Sequence, residues 1–148
     1  MLQKALAIFI GLFSASAMPQ EFQAGQVWKY NTRPGEEASK IYIVKVEDWP
    51  NGDKIFHIYA DKLKIKNPML ASGLQAELPH APVSLQTLEQ STTKQVGTTQ
   101  TLPDISEGYA AWKEAYDAGG AGIFTIPVAE IISLIEGVVS QPQNIEPS

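Results

Sequence analysis

The first half of the chain alternates apolar and polar positions with a period of two, which is typical of β-strands. Three runs at 27–32, 40–47 and 54–60 are rich in β-branched and aromatic residues. The second run is apolar on both faces through its middle, which favours a central strand. An Asn51-Gly52 pair precedes the third run, and Asn-Gly between two such runs is a strong hairpin signal. The pattern therefore predicts an antiparallel meander.

The second half changes to the 3.6-residue period of helices. We predict three of them: one capped by Ser84, one with Tyr109, Trp112 and Tyr116 on one face, and one that begins at Pro127. Strands first and helices afterwards indicate an α+β fold. We expect an antiparallel sheet of three to four meandering strands from the N-terminal half. Two to three helices from the C-terminal half would cover one face of that sheet.

Two segments between these elements carry loop signals. Residues 78–82 (LPHAP) hold two prolines, which predict a rigid exposed loop. Residues 91–101 are polar and rich in Thr, and we expect them to be partly loop.

Lysines follow the third strand at alternate positions. Lys62, Lys64 and Lys66 alternate with Leu63 and Ile65, which would place all three lysines on one face of a fourth strand. Such a face could bind an acidic partner, or it could be a solvated edge that lysines protect from pairing with other chains. The usual role of edge lysines favours the second interpretation.

The N-terminal segment has the order of an export signal: Lys4, an apolar run at 5–13, and small residues up to Ala17. The Ala15-x-Ala17 pattern predicts cleavage after Ala17 and a periplasmic or secreted protein. A retained membrane anchor is the weaker alternative, because the apolar run is half of the roughly 20 residues that a span needs. We expect residues 18–148 to form a single domain that ends in a short disordered tail, with no membrane span in the mature chain.

Composition narrows the function classes. The formal net charge is −5, and loss of Lys4 with the signal would make it more negative, so generic nucleic-acid binding is not expected. Cysteine is absent, which excludes disulfides, a thiol nucleophile and thiolate metal sites. No Asn stands two positions before Ser or Thr, so the chain has no N-glycosylation acceptor. These features favour a bacterial protein stabilised by packing alone.

The chain has two histidines. His57 lies between Phe56 and Ile58 in the third strand, where a semi-buried structural role is favoured over a catalytic or ligand role. His80 lies in the segment expected to be an exposed loop, which suits recognition. Neither has a partner at metal-ligand spacing. We therefore expect no metal site.

Motifs for other chemistry are also missing from the sequence. There is no Gly-x-Ser-x-Gly nucleophile elbow. The glycine cluster at 119–122 follows a predicted helix, whereas a phosphate-binding loop follows a strand. We assign no catalytic residue and expect no cofactor.

A loop after the first strand is the strongest candidate for binding. It places Arg33, Glu36 and Glu37 beside the aromatic strand that carries Trp28 and Tyr30. The planar guanidinium suits a carboxylate or phosphate ligand. The alternative, an internal ion pair from Arg33 to a glutamate that would only stabilise the loop, is the favoured interpretation. The candidate binding residues are thus these five and His80.

Three segments of the mature chain carry a resemblance to a known group. They are VWKYNTRPGEE at 27–37, KLKIKNP at 62–68 and EGYAAWK at 107–113. The chain resembles a group of small, signal-bearing bacterial proteins with no assigned activity. The resemblance implies an exported bacterial protein and transfers no catalytic or binding residue.

Two function classes follow from these observations. The first is a non-enzymatic binding module of the inhibitor or immunity type, which would bind a protein partner in the periplasm or outside the cell. Its support is the small size, the acidic charge and the lack of a catalytic motif. The second is a small envelope-associated hydrolase or carbohydrate-acting accessory domain, with Trp28, Trp49, Tyr30 and His57 around a cleft. The first is the leading hypothesis.

Overall fold

The computed structural model describes residues 21–141. In this range the chain forms seven strands and three helices. The strands are β1 (Gln26–Tyr30), β2 (Ile41–Asp48), β3 (Lys54–Ala60), β4 (Ile65–Lys66), β5 (Leu74–Gln75), β6 (Leu78–Val83) and β7 (Thr92–Thr98). The helices are α1 (Leu85–Ser91), α2 (Ser106–Asp117) and α3 (Val128–Val139). The predicted signal at 1–17, its cleavage after Ala17 and the predicted tail at 143–148 lie outside the described residues.

Five strands form one antiparallel sheet in the order β6-β3-β2-β1-β7. This confirms the α+β prediction and the β1-β2-β3 meander. Val27 lies opposite Tyr42, and Ile43 lies opposite Ile58. The sheet is larger than predicted because β6 and β7 extend its two edges, while β4 and β5 form a separate two-stranded ribbon.

Both segments expected to contain loops also contain strands. The loop prediction for residues 78–82 was wrong, whereas the Thr-rich segment is partly loop, since residues 99–101 follow the strand. Residues 78–82 belong to β6, where Pro79 and Pro82 are tolerated because an edge strand needs fewer backbone donors. Most of the Thr-rich segment is β7, since β-branched threonines favour extended backbone.

The lysine alternation after β3 is present without a full strand. Leu63 and Ile65 are buried, and the three lysines at positions 62, 64 and 66 are exposed. Only the last two of these five residues pair as β4. Lys62 has a φ of 49°, a left-handed conformation that interrupts the extended backbone.

The hydrophobic core lies on one face of the large sheet, which we call the core face. α1 and α3 cover it. Ser84 caps α1 by accepting a hydrogen bond from the Thr87 amide at 3.2 Å, and α3 begins directly after Pro127, so both predicted helix starts are confirmed. Side chains from all these elements meet in the core: Trp28, Ile41, Ile43, Phe56, Ile58, Val83, Leu88, Ile131 and Ile132.

The remaining helix, α2, lies on the other face of the sheet, which we call the outer face. His57 and its neighbour in register Lys45 alternate with the core positions of β3 and β2 and so point to this side. Tyr109 and Trp112 of α2 pack there. The expectation that all helices share one face is therefore corrected. The added strand β6 widens the sheet, and α2 packs against it.

Candidate functional site

The predicted binding loop is organised around an internal ion pair. Arg33 donates from Nε to Glu36 Oε1 at 2.7 Å and from Nη2 to Glu36 Oε2 at 2.9 Å. Its Nη1 lies 3.2 Å from Glu136 Oε1, on α3. The backbone amides of Lys64 and Lys66 donate to Glu36 and Glu136 at 2.7 and 2.8 Å. The guanidinium is thus already paired with two carboxylates, as in the alternative interpretation of this loop.

The two carboxylates of this network are stabilised in their charged forms. Burial alone would raise the pKa of Glu36, which is 2% exposed, but the bonds from Arg33 and from the Lys64 amide outweigh burial and lower it. The amide of Lys66 is the main cause of the lowered pKa of Glu136. These groups tie the loop to β4 and α3.

The other residues of the loop candidate separate in space. Trp28 is 3% exposed and packs on Phe22 with ring centroids 4.9 Å apart. Tyr30 is buried and its hydroxyl lies 2.7 Å from Ser39 Oγ. Glu37 is exposed and accepts from the Gly35 amide. The two aromatic rings therefore belong to the core, and Glu37 alone of these three side chains faces solvent.

A row of polar side chains centred on the buried His57 lies on the outer face and was not predicted. His57 Nδ1 lies 2.9 Å from His80 Nε2, and His57 Nε2 lies 2.8 Å from Glu47 Oε1. The angle at the second contact falls short of a linear hydrogen bond, and neither atom has another partner among residues 21–141. We call this the Glu47–His57–His80 chain.

Burial keeps both imidazoles neutral. Desolvation is the largest cause of the lowered pKa of His57, although Glu47 acts in the opposite direction. Desolvation, followed by the proximity of His57, lowers the pKa of His80 to about 4. The 2.9 Å contact between the two rings is a hydrogen bond in which the donor is set by the tautomers of the two imidazoles.

α2 covers the two histidines with aromatic rings. Tyr109 and Trp112 meet His57 with ring centroids 4.9 and 5.0 Å apart, at interplanar angles of 82° and 66°. Lys45 Nζ lies 4.2 Å from the centre of the Tyr109 ring. This cover leaves His57 with no exposed surface. The packing of α2 thus closes off His57, whereas Glu47 and His80 stay partly exposed.

Strand register explains how the histidines meet. His57 is opposite Pro82, so His80, two residues earlier on β6, is its diagonal neighbour on the same face. The sequence offered little signal for this strand, because LPHAPV has no regular alternation and the strand is evident only from its pairing with β3. The prolines concealed it. Metal-ligand spacing rules apply within one element, so they do not reveal two histidines that meet through the register of two strands.

An open groove lies at one end of the core face. It encloses about 1140 Å³ between the N-terminal residues 21–24, the β2–β3 hairpin, the start of α1 and residues 122–125. Phe56 and Phe22 lie at its floor, and Trp49, Leu85 and Ile123 leave apolar surface accessible.

The rim of the groove is polar and on balance acidic. Glu21 and Asp53 are exposed on it, while Lys54 donates to Asp48 at 3.0 Å and is thereby partly neutralised. An apolar floor with a few charged groups at its edge is the usual composition of a binding site. The groove shares no residue with the six predicted from the sequence.

Within residues 21–141, no cluster of three or more His, Cys, Asp or Glu side chains could hold a metal ion. No helix in the same range is long and apolar enough to cross a bilayer. No family model, no curated protein and no solved structure matches the chain.

Proposed function

We propose that this protein is an exported, non-enzymatic binding module of the inhibitor or immunity type, which takes an apolar segment of a protein partner into the groove. The observation that carries the proposal is the open apolar groove of about 1140 Å³ on the core face. The export signal predicted at 1–17 favours a partner in the periplasm or outside the cell.

A polypeptide suits the groove better than a small molecule. Small-molecule sites are mostly clefts of about 300–1,000 Å³ that enclose most of the ligand. This groove is larger and open, and its accessible apolar surface comes from separate elements through Trp49, Leu85 and Ile123. Aromatic and aliphatic side chains in a partly enclosed pocket are typical anchors of protein interfaces.

Charge favours a particular kind of segment. Glu21 and Asp53 on the rim, together with a net charge of −5, attract basic residues beside the apolar anchor. Association should therefore slow as salt increases, because screening weakens long-range attraction.

The enzymatic alternative rests on less accessible groups. It would use His57, which is fully covered by α2, with Glu47 and His80 as its neighbours. Of the three aromatic residues assigned to its cleft, Trp28 and Tyr30 pack in the core on the opposite face of the sheet from His57, and Trp49 lines the groove. The groove is thus the better-supported site.

The test is capture from a periplasmic extract by the mature chain, followed by titration of the recovered protein. Wild type should bind one partner stoichiometrically. Leu85→Glu should weaken the affinity about tenfold or more, since it places a charge on the apolar wall. Glutamate in the first turn is compatible with α1, so the variant should still fold. The mass of the exported bait also reports whether cleavage follows Ala17.

Leu134→Glu is the matched control. Leu134 is an exposed leucine on α3 that does not line the groove, so this variant should bind like wild type. Failure to recover a stoichiometric partner at low or high salt would overturn the proposal. Equal affinities for wild type and Leu85→Glu would also overturn it.

A further inference from the structure

The two edges of the large sheet differ in how they are protected. The β6 edge carries Pro79 and Pro82, and Phe124 forms a parallel bridge to Val83. The Phe124 amide donates to the Pro82 carbonyl at 2.9 Å, and its carbonyl accepts from the Ser84 amide at 2.9 Å. Prolines and this bridge leave few free backbone groups along the β6 edge.

The β7 edge is open. β7 pairs with β1 on one side, and among the described residues no strand pairs with its other side. Residues 93–98 are all exposed, and Val96 is 40% exposed. The strand contains no proline, and three of its seven residues are β-branched threonines. Its pairing with β1 shifts register between Val27 and Trp28 and between Lys29 and Tyr30, so the regular part of the edge that can pair with another strand centres on Lys94 and Gln95.

A pair of like charges lies beside this edge. Lys29 of β1 and Lys94 of β7 are direct partners in register, and both are exposed. Neither forms an ion pair with any residue in 21–141. Directly opposed like charges weaken the pairing of two strands. The opposed pair therefore adds local positive charge beside the edge without stabilising the pairing of β1 with β7.

We propose that the β7 edge binds an extended, acidic segment of another protein, which adds to the sheet as a sixth strand. The backbone of the segment would hydrogen-bond with the free side of β7. An acidic side chain opposite Lys94 would project to the same face as Lys29 and Lys94 and compensate both charges. β7 contributes no residue to the groove, so this surface is independent of the proposed function.

The charge of the Lys29–Lys94 pair also disfavours a second copy of this protein as the segment that binds the β7 edge. Two β7 edges brought together would place the Lys29–Lys94 pair of each copy near that of the other. An acidic segment meets the opposite sign at this edge, although the net charge of −5 repels it elsewhere. Binding of the acidic segment should therefore depend on the two lysines at this edge and not on the net charge of the protein.

The experiment uses a capped eight-residue peptide in which glutamate alternates with valine and threonine. It is titrated into the isotope-labelled mature protein and followed by NMR. Saturable shifts are expected at the amides of β7 and β1. The same peptide with lysine for glutamate should bind at least about fivefold more weakly, as expected for a change of about 1 kcal/mol at the opposed charges. The acidic peptide N-methylated at every backbone nitrogen should not bind.

The double variant Lys29→Glu/Lys94→Glu is the matched control, because it keeps a like-charge pair on the same two strands while reversing its sign. It should prefer the lysine peptide over the glutamate peptide. The proposal is overturned by equal binding of both peptides to wild type, by undiminished binding of the N-methylated peptide, or by shifts away from β7. Dimerisation of wild type through β7 would also overturn it. None of these outcomes bears on binding at the groove.

Discussion

At the scale of single residues, Gly108 determines how closely α2 approaches the sheet. A Cβ built at this glycine would lie 2.8 Å from the Cβ of His80. Two Cβ atoms in proteins do not approach so closely. The Cβ of His80 is fixed by the backbone, so side-chain rotation cannot relieve the contact. The absence of a side chain at Gly108 therefore allows α2 to pack over the two histidines.

We predict that Gly108→Ala destabilises the protein by about 1–3 kcal/mol, because the clash separates α2 from β6. This loss should exceed the gain of about 1 kcal/mol that alanine usually brings to a helix interior. Urea unfolding of the purified protein comprising residues 18–148 measures the change.

Gly137→Ala is the matched control on α3, where a Cβ would meet nothing within 4 Å. It should stabilise the protein by up to about 1 kcal/mol. If both variants were stabilised alike, the close approach of α2 to His80 would be refuted.

At the scale of elements, the Arg33–Glu36–Glu136 network joins the loop after β1 to α3. Glu36 is the central group, since it accepts two bonds from Arg33 and one from the Lys64 amide. Glu37, its neighbour in sequence, is exposed and accepts only from the Gly35 amide. Two adjacent glutamates thus have very different structural roles.

We predict that Glu36→Gln lowers the free energy of unfolding by about 2–4 kcal/mol, because it breaks a buried ion pair and leaves Arg33 with Glu136 alone. Glu37→Gln should change it by no more than about 0.5 kcal/mol. Chemical denaturation of both variants beside wild type measures the difference. Similar effects of the two substitutions would contradict the role assigned to Glu36.

At the scale of the whole molecule, the two histidines make the free energy of unfolding depend on pH. Both have folded-state pKa values below the ordinary 6.5, and that of His80 is about 4. Below pH 6.5 the unfolded chain therefore binds more protons than the folded chain, and protonation favours unfolding. The stability is complete above pH 6.5 and is lost as the pH falls toward 4.

We predict that the unfolding free energy of wild type decreases between pH 7 and pH 5, and that His80→Gln makes this decrease smaller. Urea titrations at several pH values in this range measure both slopes. Glu36 and Glu136 do not interfere, because their lowered pKa values make them contribute only below about pH 4.5. Parallel slopes for the two proteins would exclude His80 as a source of the pH dependence.

The sequence by itself determined the α+β class, the β1-β2-β3 meander and the starts of α1 and α3. These features depend on local signals, such as alternation, the Asn51-Gly52 turn, the Ser84 cap and Pro127 at a helix start. β6 was missed because its prolines predicted a loop, and β7 because the polar, Thr-rich segment was expected to be partly loop. Both segments become strands only where a neighbouring strand completes their hydrogen bonds.

Tertiary structure alone decided the candidate sites. Register between β3 and β6 brought His57 and His80 together across 23 positions, and Arg33 reached Glu136 across 103. The groove likewise needs four separate segments, none of which predicts it alone. Sequence patterns report which face of an element is apolar. Which residues meet across elements depends on register and packing between distant segments, and these exist only in the folded chain.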